Sequence, residues 1–235
     1  MKKQVTFILQ SKGGVGKSAL VYLLANKLSD EFYQTLFIDM DNETNTSMRQ
    51  VKFAPTQTFN LIDPNSRSID RALLERFFES LLSEQKYDKY VCDFGATTSE
   101  QFGIYASEEE GKQILEVLPE MNIHLHIVCV VAGRNAFKAS IDYCEILFKN
   151  VGSRAKKSIV LNHKFPFSED QLSSINQFAD TENAEVIDFD MISGHMTSPT
   201  EELHELMEKG EPLIKAGRFT QIRVKTNMDK LALTV

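Results

Sequence analysis

Val5-Thr6-Phe7-Ile8-Leu9-Gln10-Ser11-Lys12-Gly13-Gly14-Val15-Gly16-Lys17-Ser18 is the stretch on which the fold turns. An apolar strand runs into a glycine-rich turn, and the turn opens the helix Ser18-Ala19-Leu20-Val21-Tyr22-Leu23-Leu24-Ala25-Asn26. Strand, glycine-rich turn and helix in that order are the setting of a phosphate-binding loop. Glycines let successive backbone N–H groups converge on phosphate oxygens, and the helix N-terminus adds partial positive charge. Phosphate contacts are therefore expected along Lys12, Gly13, Gly14, Val15, Gly16, Lys17, Ser18 and Ala19. Lys17 would reach the β- and γ-phosphates, and the Ser18 hydroxyl would ligate Mg²⁺.

One position departs from the ordinary loop, and one residue is added to it. Ser11 stands where a glycine usually lies, five residues before the Gly-Lys pair, and a second lysine, Lys12, sits inside the turn. On these residues the chain resembles the ParA/MinD family of deviant Walker A ATPases. The resemblance implies a catalytic role for Lys12, which would cross an interface to the nucleotide of a second subunit. It implies ATP and Mg²⁺ as cofactors and an ATP-dependent homodimer, with a protein adaptor as further partner.

Beyond the loop, apolar runs alternate with helical patterns. Thr35-Leu36-Phe37-Ile38-Asp39 and Tyr90-Val91-Cys92-Asp93 are strands closing on an acid. Residues 123–131, 158–162 and 184–189 read as further strands. Helical spacing of apolar residues marks 68–85, with Ser68 or Ser66 as cap, and also 135–149, 168–178 and 200–209. Near-continuous apolar strands separated by helices predict an α/β, three-layer P-loop NTPase fold, its mostly parallel sheet flanked by helices on both faces. Residues 1–235 are expected to form one domain, with 60–67 as its most loop-like excursion.

In such sheets ligands bind beyond the carboxyl ends of the strands, where Asp39, Asp41 and Asp93 fall. Asp39-Met40-Asp41-Asn42-Glu43-Thr44-Asn45 resembles the first switch of the ParA/MinD family. By that resemblance Asp39 supports Mg²⁺ through its water shell and Asp41 orients the attacking water. A simple turn after the strand is the competing reading. Asp93 matches the Walker B acid and is a further metal-site candidate, although Phe94-Gly95-Ala96-Thr97-Thr98 lacks the proline many relatives carry there. Asp93-Phe94-Gly95 also spells a protein-kinase tripeptide, but the other kinase motifs are missing. Asn162 is expected either to bond the adenine edge, as in related proteins, or to cap a turn. Asn162-His163-Lys164-Phe165 lacks the aspartate of the guanine-reading motif, which favours ATP.

The remaining features exclude more than they assign. The 235 residues are 42% hydrophobic, enough for a full core, and a net charge of −7 offers no global field for nucleic acid or anionic lipid. Cys92, Cys129 and Cys144 show no metal-like spacing and predict buried thiols in a reducing compartment. No run is long enough to span a membrane, so a soluble, cytoplasmic protein is expected. His124 and His126 alternate along one strand and favour a hydrogen-bonded pair over a metal site, and His195 and His204 read as surface residues. Residues 217–235 are locally basic, and Arg218, Arg223, Lys225 and Lys230 are candidates for non-specific DNA contact; a membrane-binding face is disfavoured.

The family resemblance implies a positioning switch, and residues 93–98 with the short chain resemble the StbB/TraL-type proteins of plasmid stability and conjugation. A small ATP-dependent ligase or synthetase on the same fold is the alternative from another class, as is a nucleotide-binding scaffold without turnover. An iron-protein-like electron carrier would need two cysteines at a symmetric interface, which Cys92 and Cys129 do not match.

Overall fold

The computed structural model describes residues 2–31, 34–40, 46–63, 65, 68–190, 197–231 and 233. Seven strands form one sheet: β1 (Lys3–Leu9), β2 (Thr35–Met40), β3 (Thr56–Thr58), β4 (Lys89–Phe94), β5 (Ile123–Ala132), β6 (Lys156–Asn162) and β7 (Glu185–Phe189). Their order is β3-β2-β4-β1-β5-β6-β7, and every pairing is parallel. "Mostly parallel" therefore becomes fully parallel for the named strands, with an isolated antiparallel bridge between Ile62 and Ile69 outside them.

Side-chain alternation divides the sheet's two faces. Val5, Phe7 and Leu9 of β1, with Leu125, Ile127 and Cys129 of β5, enter one core beneath α3 (Arg71–Ser83), α4 (Ala96–Ser107), α5 (Glu109–Val117), α6 (Phe137–Val151) and α7 (Glu169–Glu182). Phe7 anchors it, its ring centroid 4.7 Å from Phe94 and 5.4 Å from Phe102. Ile8, Val128, Val130 and Val160 point the other way, under α1 (Lys17–Lys27), α8 (Thr197–Lys209) and α9 (Arg218–Lys230). A short α2 (Thr46–Gln50) follows β2. This is the three-layer α/β architecture expected of near-continuous apolar strands.

Several boundaries differ from the sequence expectation. The cap of α3 is Asp70, whose carboxylate accepts from Leu73 N at 3.2 Å, rather than Ser68; Ser66 lies outside the described residues. Residues 96–117, given no element above, form α4 and α5, and Glu108 and Glu110 there pair with Arg71. The C-terminal stretch folds back as α9, with Val224 and Met228 packed in the second core. Arg218 and Lys225 lie seven residues apart on this helix, as do Arg223 and Lys230, so the two pairs form stripes roughly 140° apart instead of one patch. Among the described residues no helix is long and apolar enough to cross a membrane.

Candidate functional site: a phosphate loop at the carboxyl end of the sheet

The central strand β1 ends between β4 and β5, and the chain leaves it through the loop 10–16 into α1. Gly14 and Gly16 have φ of 77° and 105°, which side-chain-bearing residues rarely adopt. A Cβ on Gly16 would also stand 2.3 Å from Asn162 Nδ2, so this position takes glycine alone. Gly16 is the N-cap of α1, and no side chain caps that end among the described residues. The first-turn N–H groups of Lys17, Ser18 and Ala19 thus open onto the loop, the arrangement that receives an anion.

Each charged residue of the loop has its own setting. Lys17 turns inward and donates from Nζ to the Gln10 carbonyl at 3.0 Å. Lys12 points outward and is exposed, with no hydrogen bond or ion pair to its ammonium group among the described residues. Its backbone N–H donates to Gln10 Oε1 at 3.2 Å. Val15 between them is buried in the second core and pins the turn.

Two acids lie beneath the loop. Asp39 of β2 and Asp93 of β4 are direct cross-strand partners, and both are buried. Ser18 Oγ donates to Asp93 Oδ2 at 2.8 Å. Asp39 Oδ2 accepts from Ser47 Oγ at 2.8 Å and from Met48 N at 3.0 Å, so it also anchors α2. Two carboxylates one strand apart repel each other unless a cation lies between or beside them. With the Ser18 hydroxyl they make an all-oxygen donor set of the kind magnesium takes, and these three residues fit the ion. Asp41 and Asn45 lie outside the described residues. Among those described, no group of three His, Cys, Asp or Glu side chains is placed to hold a metal.

Asn162, at the end of β6, donates from Nδ2 to the Val15 carbonyl at 2.7 Å and accepts from Lys164 N at 3.1 Å. The turn-capping expectation is met, and the side chain braces the loop as well. Its amide keeps one N–H and one lone pair for a base edge.

Gln10 is the residue the sequence did not single out. It is fully buried, and its Nε2 donates to the carbonyls of Val130 and Ser140, each at 3.0 Å. Its N–H donates to Ser99 Oγ at 3.1 Å, and Tyr143 OH donates to the Ser99 carbonyl at 2.7 Å. The backbone of the loop is thereby tied to α4 and α6. A lone glutamine closing an apolar strand before a glycine turn was the available signal.

The histidines divide. His126 is buried, its Nε2 2.8 Å from Ser158 Oγ, while His124 and His204 are exposed; His195 lies outside the described residues. Cys92, Cys129 and Cys144 are buried free thiols, and burial pushes those of Cys92 and Cys144 well above the usual range.

Over residues 6–212 the sequence matches the profile described as "CobQ/CobB/MinD/ParA nucleotide binding domain". The chain belongs to that family. No match to a curated protein sequence was found. Among solved structures, this CobQ/CobB/MinD/ParA member is similar to the MinD cell division protein of Aquifex aeolicus, at 14% identity and TM-score 0.53, over 97% of this chain and 94% of that one. It is likewise similar to a chain of the MinC:MinD cell division protein complex of Aquifex aeolicus, at 15% identity and TM-score 0.54, over 99% and 98%. At such identities the likeness shows a shared fold.

Proposed function

We propose that this chain is an ATPase switch of the ParA/MinD type, one domain that binds ATP with Mg²⁺ in the loop and pairs with a second copy while ATP is present. The observation that carries it is the division of labour between the two lysines. Lys17 lies inside its own loop, 3.0 Å from the Gln10 carbonyl, while Lys12 extends outward with its ammonium group uncommitted among the described residues. An outward cation beside a phosphate site is positioned to serve the nucleotide of a facing subunit.

Magnesium, held through Ser18 and Asp93 with Asp39 alongside, would neutralise charge on the β- and γ-phosphates. Phosphoryl transfer needs positioning and charge compensation more than covalent chemistry. The α1 N-terminus and Gly13–Gly16 backbone cradle the phosphates, and Lys17 swings from the Gln10 carbonyl onto them. Asp41 is assigned the orientation of the attacking water. The Thr98 hydroxyl donates to the Met40 carbonyl at 3.1 Å, which joins α4 to the end of β2 and gives a route by which the state of the phosphate site reaches α4.

The occurrence of a MinC:MinD complex among the similar structures supports a protein adaptor for this chain too. Plasmid partition, stability or conjugative transfer is the cargo process we assign, on the likeness of residues 93–98 to StbB/TraL-type proteins. Three buried free thiols support residence in the cytoplasm. A direct DNA contact through α9 is not favoured, because its four cations are split between two stripes.

Sizing chromatography with ADP and with a non-hydrolysable ATP analogue tests the central claim. Wild-type protein should double in mass with the analogue, and Lys12→Ala should bind nucleotide as a monomer and lose hydrolysis. A Lys12→Ala protein that pairs and turns over normally would sink it.

A further inference from the structure

At the opposite end of the sheet, the face that packs under α1, α8 and α9 changes character along its own strands. Toward the carboxyl ends it is aliphatic, with Ile8, Val128 and Val160 in the second core. Toward the amino ends the same face carries Gln4, Thr6, His124, His126, Lys156 and Ser158. Gln4 pairs in register with His124, Thr6 with His126, and His126 with Lys156, so these side chains share one side of three adjacent strands. A parallel sheet covered on both faces ordinarily keeps such positions apolar. Of these six polar residues three are buried, and His126 and Ser158 satisfy each other at 2.8 Å, which leaves Gln4, His124 and Lys156 as the more open members of the block.

All of the block but Ser158 lines a cavity of about 330 Å³, the lower end of the range for small-molecule sites. Lys2 and Arg154 join His124, His126 and Lys156 in its lining, together with Pro119 and Ala155. No carboxylate lines it among the described residues, in a chain whose net charge is −7. Two of the cations are engaged nearby: Lys156 Nζ lies 3.0 Å from Glu185, and a Glu116 carboxylate oxygen stands 4.0 Å from Arg154 Nε. That Nε is buried without a hydrogen-bond partner, and the side chains of Lys2 and His124 have no polar partner among the described residues.

We propose that this basin binds a small phosphate monoester, at a site separate from the nucleotide loop. The phosphate would lie against Lys2, His124 and Arg154, whose donors suit a dianion, and the organic body against Pro119 and Ala155. At about 3.3 Å per residue the seven-residue β1 puts the two sites roughly 20 Å apart. Binding here would meet β1 at its start and the phosphate loop at its end.

Histidine-ring NMR on the full chain tests the site, since only five histidines contribute signals. The Lys17→Ala protein is titrated with glycerol 3-phosphate, inorganic phosphate and glycerol, so that nothing depends on a working nucleotide loop. Saturable shifts of the His124 and His126 resonances are expected with the ester, weaker ones with inorganic phosphate and none with glycerol. Arg154→Ala should weaken ester binding about tenfold or more, as loss of a charge-assisted contact implies. Lys2→Ala, at an exposed residue, should weaken it too and guards against a folding defect in the arginine variant. Unsaturable shifts, an ester no tighter than inorganic phosphate, or binding indifferent to both substitutions would overturn the assignment.

Discussion

The two ends of one parallel sheet handle charge in opposite ways. At the carboxyl end the anion receptor we propose is backbone: glycines and a helix N-terminus supply N–H groups, and the acids assigned to the cation are buried beneath them. At the amino end side chains do the work, with Lys2, His124 and Arg154 around a basin free of acids among the described residues. Backbone receptors are read from the sequence because only glycine tolerates the required φ. Side-chain basins are not, because their members come from unconnected strands and turns.

Replacing Lys17 is the strongest way to break this comparison. Lys17→Ala should lower ATP affinity roughly 100-fold, about 3 kcal/mol, the size of lost charge-assisted bonds. His124→Ala should leave ATP affinity unchanged. Calorimetric titration of both variants decides it, and equal losses would mean that the two ends do not act as separate sites.

Gln10 tests whether the loop is held from below. Gln10→Leu removes one hydrogen bond each from the Val130 and Ser140 carbonyls and from the Lys12 N–H, at a cost of about 1–3 kcal/mol in stability. Nucleotide affinity should fall several-fold in addition. Leu115→Ala, a truncation in the other core, should destabilise comparably and leave affinity intact. Urea melts paired with nucleotide titrations separate the two effects, and equal affinity loss in both variants would reduce Gln10 to a core residue.

How much of this was legible in the sequence follows from the range of each interaction. The loop, its helix and the acids closing β2 and β4 are local patterns, and they stand where the sequence put them. Gln10 depends on Val130 and Ser140, more than a hundred residues away, and no spacing rule reaches that far. Helix α9 hides for another reason: Thr220 and Asn227 are buried beside Val224 and Met228, so its inner face is half polar and carries no clean apolar stripe. The three-residue β3 is too short for its alternation to register, and the polar opening Ala96-Thr97-Thr98-Ser99 masks α4. The amino-end basin shows in the sequence only as polar residues interrupting strand patterns, which taken singly mean nothing.

The smallest expected effect separates carboxyl-end position from membership of the site. Ser168 caps α7 with a reciprocal capping box, its Oγ accepting from Gln171 N at 3.2 Å and Gln171 Oε1 accepting from Ser168 N at 3.1 Å. It lies six residues past Asn162, at the same end of the sheet as the loop but outside it. Ser168→Ala should cost about 1 kcal/mol, a drop of roughly 2–4 °C in melting temperature for a chain of this size. Nucleotide affinity should stay at the wild-type value, because the cap supports α7, which packs chiefly on α6 and β7. A Ser168→Ala protein that bound ATP more weakly would show the carboxyl end responding as one cooperative unit, and the boundary drawn around the loop, Asp39, Asp93 and Asn162 would have to widen to include α7.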